Sequence, residues 1–344
     1  MRTHIAQIVL ATVIVGASTH DALAQMHRRA PRRASSAKAA NVVPPLPCGD
    51  YMSFQVLLDR QGFSPGQIDG RPGKNFDHAL AAWRIAKNMA GPVATSGVAG
   101  AAANAPDCGA WKALGGDTAQ PLTTYTITKD DVDGPFQKEI PKSLDAQAGL
   151  PSLSYQSAAE LLGEKFHAAP ALLEKLNPAV AYEEARTIKA PAVQPFDWNA
   201  KLTPDAAAGD VEITVSRADS ALRVTRADGS IVHFAPVTTG SVHDPLPTGD
   251  YKVTVINWHP PFHYNPDLFW DAKPGDTKAT IKPGPNNPVG VVWISLSLEH
   301  YGIHGTPEPG NIAKTESHGC VRLTNWDAAR VAALVKPGTP VHFR

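Results

Sequence analysis

The chain has 344 residues, with 32 basic and 32 acidic side chains, so its formal net charge is zero at pH 7. That length allows two or three domains, and a hydrophobic content of 43% is ordinary for globular proteins, which excludes collagen-like and wholly disordered classes. The balanced charge gives no support to a nucleic-acid partner, because proteins that bind nucleic acids usually carry a strongly basic domain.

The first 24 residues have the pattern of a secretory signal peptide. Arg2 supplies the positive end, residues 5–17 are apolar, and Ala22–Ala24 form a small-x-small cleavage site. The apolar stretch is shorter than the about 20 residues that span a bilayer. We therefore expect cleavage, export to the periplasm or cell envelope and no transmembrane segment; an uncleaved N-terminal anchor is the alternative.

Residues 25–47 are basic and rich in alanine, serine and proline, a composition that predicts a disordered tether. Beyond them the chain holds three cysteines, and an odd number in an exported protein indicates one disulfide and one free thiol. Cys48 and Cys108 flank one compact segment and are the expected pair. Cys320 is then left as the free thiol.

Residues 48–116 predict a small helical domain. Two stretches with apolar residues at helical spacing flank a turn-rich run at residues 62–73. This run, with Leu57 before it and Trp111 after it, resembles the peptidoglycan-binding domain type 1 family, which implies glycan binding. An alanine- and glycine-rich insertion at residues 90–105 departs from the family, and a spacer role is the alternative.

Residues 121–195 predict a second small module of two strands and two helices. The order of these elements and the Leu176-Asn177-Pro178 run resemble a LysM domain, a βααβ fold that implies glycan binding. The resemblance is stretched by an insertion around residues 130–153, and a spacer that supports the next domain is the alternative. Proline and glycine between the modules predict extended linkers. The expected elements are a strand at 125–127, helices at 158–166 and 171–176, and a strand at 187–191.

Residues 209–344 are rich in strands with alternating apolar side chains and hold one late helix. Thr324 is the expected N-cap of this helix, residues 336–338 end it, and Pro340–Phe343 predict a last strand. The segment is large enough to bury its own core. The predicted fold class is multidomain α+β, with a mainly-β domain preceded by the helical module and the βααβ module.

The free thiol lies among residues that suit nucleophilic catalysis. Cysteine attacks as a thiolate and needs a base within hydrogen-bond reach, for which His304 and His318 are the candidates. We favour His304, which comes from a preceding strand and can approach across the sheet. Gly319 implies a tight turn that separates His318 from Cys320, so His318 is expected to orient the loop by hydrogen bonds.

Further roles are predicted for residues beside this pair. The carbonyl of Gly305 is the candidate partner that fixes the tautomer of His304. The N–H groups of Gly319 and Cys320 can stabilise an oxyanion, typically by about 3 kcal/mol per donor. Arg322 can hold a substrate carboxylate or pin the loop through backbone carbonyls, and both alternatives stay open. The predicted substrate-binding residues are Tyr301, Thr306, Ser317 and Arg322.

Four motifs occur in order in this last segment: Pro236–Gly240, Leu246–Tyr251, Ile303–Thr306 and Ser317–Leu323. Together they resemble an L,D-transpeptidase catalytic domain of the YkuD type. The resemblance implies a β-sandwich-like fold, a nucleophile at Cys320, a proton acceptor at His304 and no cofactor. Residues 259–287 depart from the family pattern and are expected to form a lid or groove wall.

The resemblance implies a peptidoglycan L,D-transpeptidase that acts on stem peptides and glycan strands. It would form 3-3 cross-links or exchange a terminal D-alanine through an acyl-enzyme, and carbapenems would inhibit it covalently. An L,D-carboxypeptidase or cross-link hydrolase with the same Cys/His pair is the alternative. A zinc site and a non-enzymatic wall-binding protein are further rivals, but the usual zinc spacings are missing from the sequence and no metal is expected.

Overall fold

A computed structural model describes residues 45–89 and 105–344. The predicted signal peptide, the predicted tether up to residue 44 and the insertion at 90–104 lie outside the described residues. All described residues belong to one compact unit. Within these two ranges, the helices lack the length and apolar character that a membrane crossing needs.

The described part of the helical module has three helices, and caps decide where two of them begin. The side chain of Asp50 accepts a hydrogen bond from the backbone of Ser53, and Asp107 caps its helix in the same way. A disulfide joins Cys48 to Cys108 and ties the start of the first helix to the third. The helices are α1 (Tyr51–Arg60), α2 (Lys74–Ala86) and α3 (Cys108–Ala113).

The segment predicted as the second module has two strands with four helices between them, and two of these helices are short and lie inside the insertion. Its two strands pair antiparallel with Tyr125 opposite Ile188. The first strand begins three residues earlier than expected, because all five of its residues find partners in the second. The elements are β1 (Leu122–Thr126), α4 (Lys129–Asp133), α5 (Leu144–Ala148), α6 (Ala158–Lys165), α7 (Pro170–Leu176) and β2 (Thr187–Pro191).

The mostly-β C-terminal segment with one late helix is confirmed. Thr324 caps that helix by accepting from the backbone of Asp327. The strands are β3 (Val211–Ser216), β4 (Ala221–Arg226), β5 (Ile231–Pro236), β6 (Thr238–Thr239), β7 (Gly249–Trp258), β8 (Phe262–Tyr264), β9 (Ala279–Ile281), β10 (Val292–Leu296), β11 (Gly302–His304), β12 (Val321–Arg322) and β13 (Pro340–Phe343), and the helix is α8 (Asn325–Leu334).

Nine of these strands form one sheet in the order β5-β4-β3-β13-β7-β10-β11-β12-β6, and β8 and β9 form a separate hairpin. Strand β7 is the longest, and it is shared between two halves of the sheet. Residues 249–252 pair with β13, and residues 253–258 pair with β10. The sheet therefore continues from the N-terminal strands of the segment to β11 and β12, which carry the candidate site.

The three predicted domains share their cores. Phe234 of β5 is fully buried among the helices of the first module and exchanges backbone hydrogen bonds with Gly62 and Ser64. Ile68 from the same module packs in the core of the second module. The prediction of extended linkers is wrong for the segment before β3, because Phe196 is buried in the core of the C-terminal domain.

Candidate active site

The candidate catalytic residues meet at two adjacent strands. Strands β11 and β12 run parallel, with Ile303 opposite Val321 and His304 opposite Arg322. Side chains alternate along a strand, so His304, Arg322 and Cys320 project from the same face of the sheet. All three line one cavity of about 1300 Å³. Folding of the last third of the chain thus brings the thiol and the imidazole to one chamber.

His304 is held in a defined orientation. Its side chain is buried, and Nδ1 lies 2.7 Å from the carbonyl oxygen of Gly305. Because a carbonyl only accepts, Nδ1 carries the proton and Nε2 keeps its lone pair. The indole of Trp293 stacks on the imidazole with ring centroids 5.2 Å apart. The structure thus places the backbone carbonyl of Gly305 where the sequence predicted it, and Trp293 adds a contact that the sequence did not reveal.

Burial keeps both reacting groups neutral. Burial, aided by the positive charge of Arg322, lowers the pKa of His304 to about 3. Burial raises the pKa of the Cys320 thiol, although a hydrogen bond from the backbone of Gly302 and the charge of Arg322 oppose that shift. In the resting protein Sγ lies 3.7 Å from the carbonyl oxygen of His300, toward which it donates. The arrangement suits general-base removal of a thiol proton by a neutral imidazole rather than a preformed thiolate–imidazolium pair.

This neutral pair predicts the pH dependence of thiol modification. Because burial raises the pKa of Cys320, alkylation by iodoacetamide at pH 7 should be slower than that of an unstructured cysteine peptide. The rate should still be rising at pH 9, the ordinary thiol value. The alkylation rate is measured by mass spectrometry of samples quenched at set times, at pH values from 5 to 10. Fast alkylation that levels off below pH 7 would indicate an ion pair and contradict the assignment.

A tight turn shapes the loop before Cys320. Gly319 has φ of +97°, and a Cβ there would lie 2.8 Å from the ring of Tyr301. The loop is closed by Ser317, whose buried hydroxyl donates to the carbonyl of Cys320 at 2.6 Å. The tight turn at Gly319 agrees with the prediction from its sequence.

Two of the predicted substrate-binding residues occupy other positions. Ser317 does not line the cavity, because its hydroxyl is committed inside the loop and its side chain is buried, and its substrate-binding role stays a prediction. Thr306 is also buried, and its hydroxyl accepts from the backbone of Glu308 at 3.2 Å. Tyr301, by contrast, lines the cavity.

Arg322 makes the loop contact that was one of the two alternatives left open by its sequence position, and its binding of a substrate carboxylate stays a prediction. Nη1 donates to the backbone carbonyl of Glu316 at 3.4 Å, which pins the loop. The side chain also lines the cavity, and its buried Nε has no hydrogen-bond partner among the described residues. The guanidinium can therefore hold the loop and still direct an N–H group to a bound carboxylate.

The extension at residues 259–287 forms part of the cavity wall, as expected of a groove wall. It also contacts the catalytic loop directly, because Nε2 of His318 lies 2.7 Å from a carboxylate oxygen of Asp271. The rings of Phe269 and Trp270 lie 4.8 and 5.9 Å from the same imidazole. His318 is thus engaged by the extension, in line with its predicted orienting role, while Asp271 carried no recognisable signal in the sequence.

The second module supplies another part of the wall. Residues 142–145 line the cavity, and Asp145 accepts a hydrogen bond from Thr277 of the extension at 3.0 Å. Within the described ranges, no cluster of three His, Cys, Asp or Glu side chains is placed to hold a metal ion. The side chains at the cavity include a thiol, an imidazole and a guanidinium.

Comparison with known proteins identifies the C-terminal segment. Residues 210–343 match the family model described as "YkuD: L,D-transpeptidase catalytic domain". The protein named "Putative L,D-transpeptidase YkuD" of Bacillus licheniformis is 48% identical over 60 residues, which are 17% of this chain and 36% of that protein. "Putative L,D-transpeptidase YqjB" of Bacillus subtilis is 29% identical over 139 residues, which are 39% of this chain and 70% of that protein.

The alignments with the YkuD protein of Bacillus licheniformis and with the protein of the same name from Bacillus subtilis span about a third of those proteins, 36% and 35% of their lengths. A solved structure of an L,D-transpeptidase from Mycobacterium smegmatis is 16% identical to this chain, with a TM-score of 0.32. The match covers 51% of this chain and 84% of that one, and a similarity this low gives no information about function. Residues 210–343 therefore carry the YkuD L,D-transpeptidase catalytic domain that the sequence predicts. The resemblances to the peptidoglycan-binding and LysM families stay predictions.

Proposed function

We propose that the protein is a peptidoglycan L,D-transpeptidase that works through an acyl-enzyme on Cys320. The observation that carries this proposal is the juxtaposition of a free, partly buried thiol and an oriented, neutral imidazole in one cavity of a YkuD catalytic domain. Neither group alone would indicate the chemistry. Their combination fits acyl transfer, because the imidazole Nε2 can take the thiol proton when substrate arrives.

The first half-reaction forms a thioester and releases D-alanine. Nε2 of His304 accepts the thiol proton while Sγ of Cys320 attacks the carbonyl on the L-centre of a diaminopimelate residue. The N–H groups of Gly319 and Cys320 would stabilise the oxyanion of the tetrahedral intermediate. The imidazolium then returns the proton to the amine of D-alanine as the amide bond breaks. No redox step or external reductant is involved.

The second half-reaction resolves the thioester with an amine. An amine from a neighbouring stem attacks the thioester carbonyl and gives its proton to His304, and the thiol is restored as Sγ leaves. The product is a 3-3 cross-link, or a stem with an exchanged D-amino acid when a free amino acid attacks. The cavity of about 1300 Å³ that contains the thiol would have to receive both the acyl donor and the amine.

Incubation with purified tetrapeptide stems tests the proposal. We expect cross-linked dimers together with released D-alanine, both measured by chromatography coupled to mass spectrometry. Tripeptide without dimer would replace the proposal with the L,D-carboxypeptidase alternative, because water would then resolve the thioester. No consumption of stems at all would refute both.

The proposed site of action is the periplasm or cell envelope, where stems and glycan strands are found. The predicted signal peptide supports export, and the Cys48–Cys108 disulfide supports an oxidising compartment. Carbapenems are expected to acylate Cys320, because their strained carbonyl offers the same electrophile to the same nucleophile.

A further inference from the structure

We infer that Glu164, which belongs to the second module, is a positioning residue of the active site and acts through Asn325 on the backbone that holds His304. The inference rests on the proposed function, since it assigns His304 as the base. It also gives the second module a part in catalysis that a spacer or a glycan-binding module would not have.

The first step of the connection crosses between the module and the catalytic domain. Glu164 lies on α6, and its Oε1 accepts a hydrogen bond from Nδ2 of Asn325 at 2.9 Å. The same Nδ2 donates to the carbonyl of Pro285 at 3.0 Å. Glu164 and Asn325 are both buried, and Asn325 is fully shielded from bulk solvent. Glu164 and Pro285 together use both N–H groups of the amide and so determine which way it points.

The second step runs from the Asn325 amide to the base. With Nδ2 anchored, Oδ1 of Asn325 accepts from the backbone of Val291 at 3.2 Å. The same oxygen packs directly on two glycines, because a Cβ at either Gly290 or Gly305 would lie 2.1 Å from it. The carbonyl of Gly305 in turn accepts from Nδ1 of His304 at 2.7 Å. The Asn325 oxygen therefore fixes the peptide segment that sets the tautomer of the imidazole.

The state of the carboxyl group fits this structural use. Burial raises the pKa of Glu164 to about 8, so the group is mainly uncharged at neutral pH. Its second oxygen pairs with the hydroxyl of Tyr155 at 2.5 Å. A neutral carboxyl and a glutamine amide have the same shape, and each can offer Asn325 a carbonyl-type acceptor. Glutamine should therefore replace Glu164 in this role, whereas leucine should not.

Loss of the acceptor should act on the chemical step. Without Glu164 the Asn325 amide can flip, which would turn an N–H group toward Gly305 and the Val291 donor. The carbonyl of Gly305 would then hold Nδ1 less firmly, and protonation at Nε2 would remove the lone pair that accepts the thiol proton. Substrate contacts at Arg322 and Tyr301 would stay in place, so kcat should fall more than KM changes.

The same helix offers a matched control in Glu160. Its Oε1 accepts from Nδ2 of Asn286 at 2.8 Å, so it joins the same module to the same domain. The amide of Asn286 also donates to the carbonyl of Ser154, which belongs to the second module rather than to the backbone around His304. Glu160→Ala therefore weakens the interface and leaves the hydrogen-bond partners of Asn325 in place, although it also removes a negative charge that helps to raise the pKa of Glu164.

The experiment compares steady-state kinetics on tetrapeptide stems for the full chain and four variants, with circular dichroism to verify folding. Glu164→Leu should lower kcat at least about 10-fold with KM within about threefold, while Glu164→Gln and Glu160→Ala stay within about threefold of wild type. If the leucine variant does not fold, Glu164→Asp replaces it in the comparison. This substitution keeps the carboxyl group but withdraws it from Asn325 by one methylene, so kcat should also fall. Wild-type kcat in Glu164→Asp or Glu164→Leu would overturn the inference.

A second measurement separates this inference from the proposed function. Nitrogen-15 NMR of labelled imidazoles, with the His304 signals assigned from a His304→Asn variant, reports which ring nitrogen carries the proton. We expect protonated Nδ1 in wild type, Glu164→Gln and Glu160→Ala, and a growing share of protonated Nε2 in Glu164→Leu or Glu164→Asp. This NMR result would support the inference even if the wild-type protein did not consume stems. Such a lack of activity would refute only the proposed function. An unchanged tautomer in every variant would overturn the inference.

Discussion

Replacement of Cys320 by alanine should reduce kcat/KM for tetrapeptide stems by at least about 10⁴-fold, because the acyl-enzyme cannot form without the sulfur. The fold should survive, since Cys320 is the one described cysteine outside the disulfide and its side chain borders the cavity. Release of D-alanine, measured by a coupled assay with a detection limit well below that loss, reports the effect.

The disulfide offers a control for this substitution. A double Cys48→Ala/Cys108→Ala variant removes two sulfurs that do not line the cavity, so it should lose stability but keep kcat within a few-fold at temperatures where it stays folded. If Cys320→Ala kept a tenth of the wild-type activity, a different nucleophile would carry the reaction and the assignment would fail.

His304→Ala should cost between about 10² and 10⁴-fold in kcat/KM, the usual range for a lost general base. His318 is the matched comparison, because it lies on the same cavity but its Nε2 is engaged by Asp271. We expect His318→Ala to cost about tenfold or less, through a less ordered loop. A larger loss for His318 than for His304 would reverse the assignment of the base.

The pH profile gives the same assignment a second check. The folded pKa of His304 is about 3, below its ordinary value of 6.5, so the imidazole stays unprotonated as the pH falls from 8 to 5. Protonation of this base should therefore not produce a loss of kcat/KM near pH 6.5. Arg322→Gln removes a positive charge that lowers this pKa, so the acid limb of that variant should begin at higher pH than in wild type. An acid limb centred on 6.5 in wild type would contradict the buried, neutral base.

Local sequence signals predicted the elements around the site well. Thr324 was recognisable as an N-cap, and the strands at 187–191 and 340–343 lie at the positions expected from the sequence. The loop from Ser317 to Cys320 was recognisable because its chemistry is concentrated in consecutive residues. Short-range patterns of this kind depend on neighbours in the chain, which a sequence shows directly.

Long-range contacts could not be read in the same way. Gly249 and Asp250 have the composition of a turn, yet they begin β7 because each pairs with a residue of β13 about 90 positions later. Pairing partners thus outweigh local preference. Asn325 looked like an ordinary first residue of a helix, and only folding brings it beside Glu164. Asp271 was equally hidden, since the extension that carries it has no periodicity to orient its side chains.

The packing of the N-terminal modules changes how their family resemblances are to be tested. The turn-rich run of the first module, which carries its resemblance, is partly covered by β5 of the catalytic domain through Gly62 and Ser64. Glycan binding by this module therefore has to use surfaces outside that contact. The second module contributes residues 142–145 to the catalytic cavity, which joins it to the site whether or not it binds glycan.

Mass spectrometry of the intact protein after mixing with a carbapenem tests the central assignment most directly. Wild type should gain the mass of one inhibitor per chain, and peptide mapping should place it on the fragment that contains Cys320. Cys320→Ala should gain nothing, and the Cys48→Ala/Cys108→Ala variant should gain the same single adduct. An adduct that persists in Cys320→Ala, or an unmodified wild type that still cross-links stems, would contradict nucleophilic attack by this thiol.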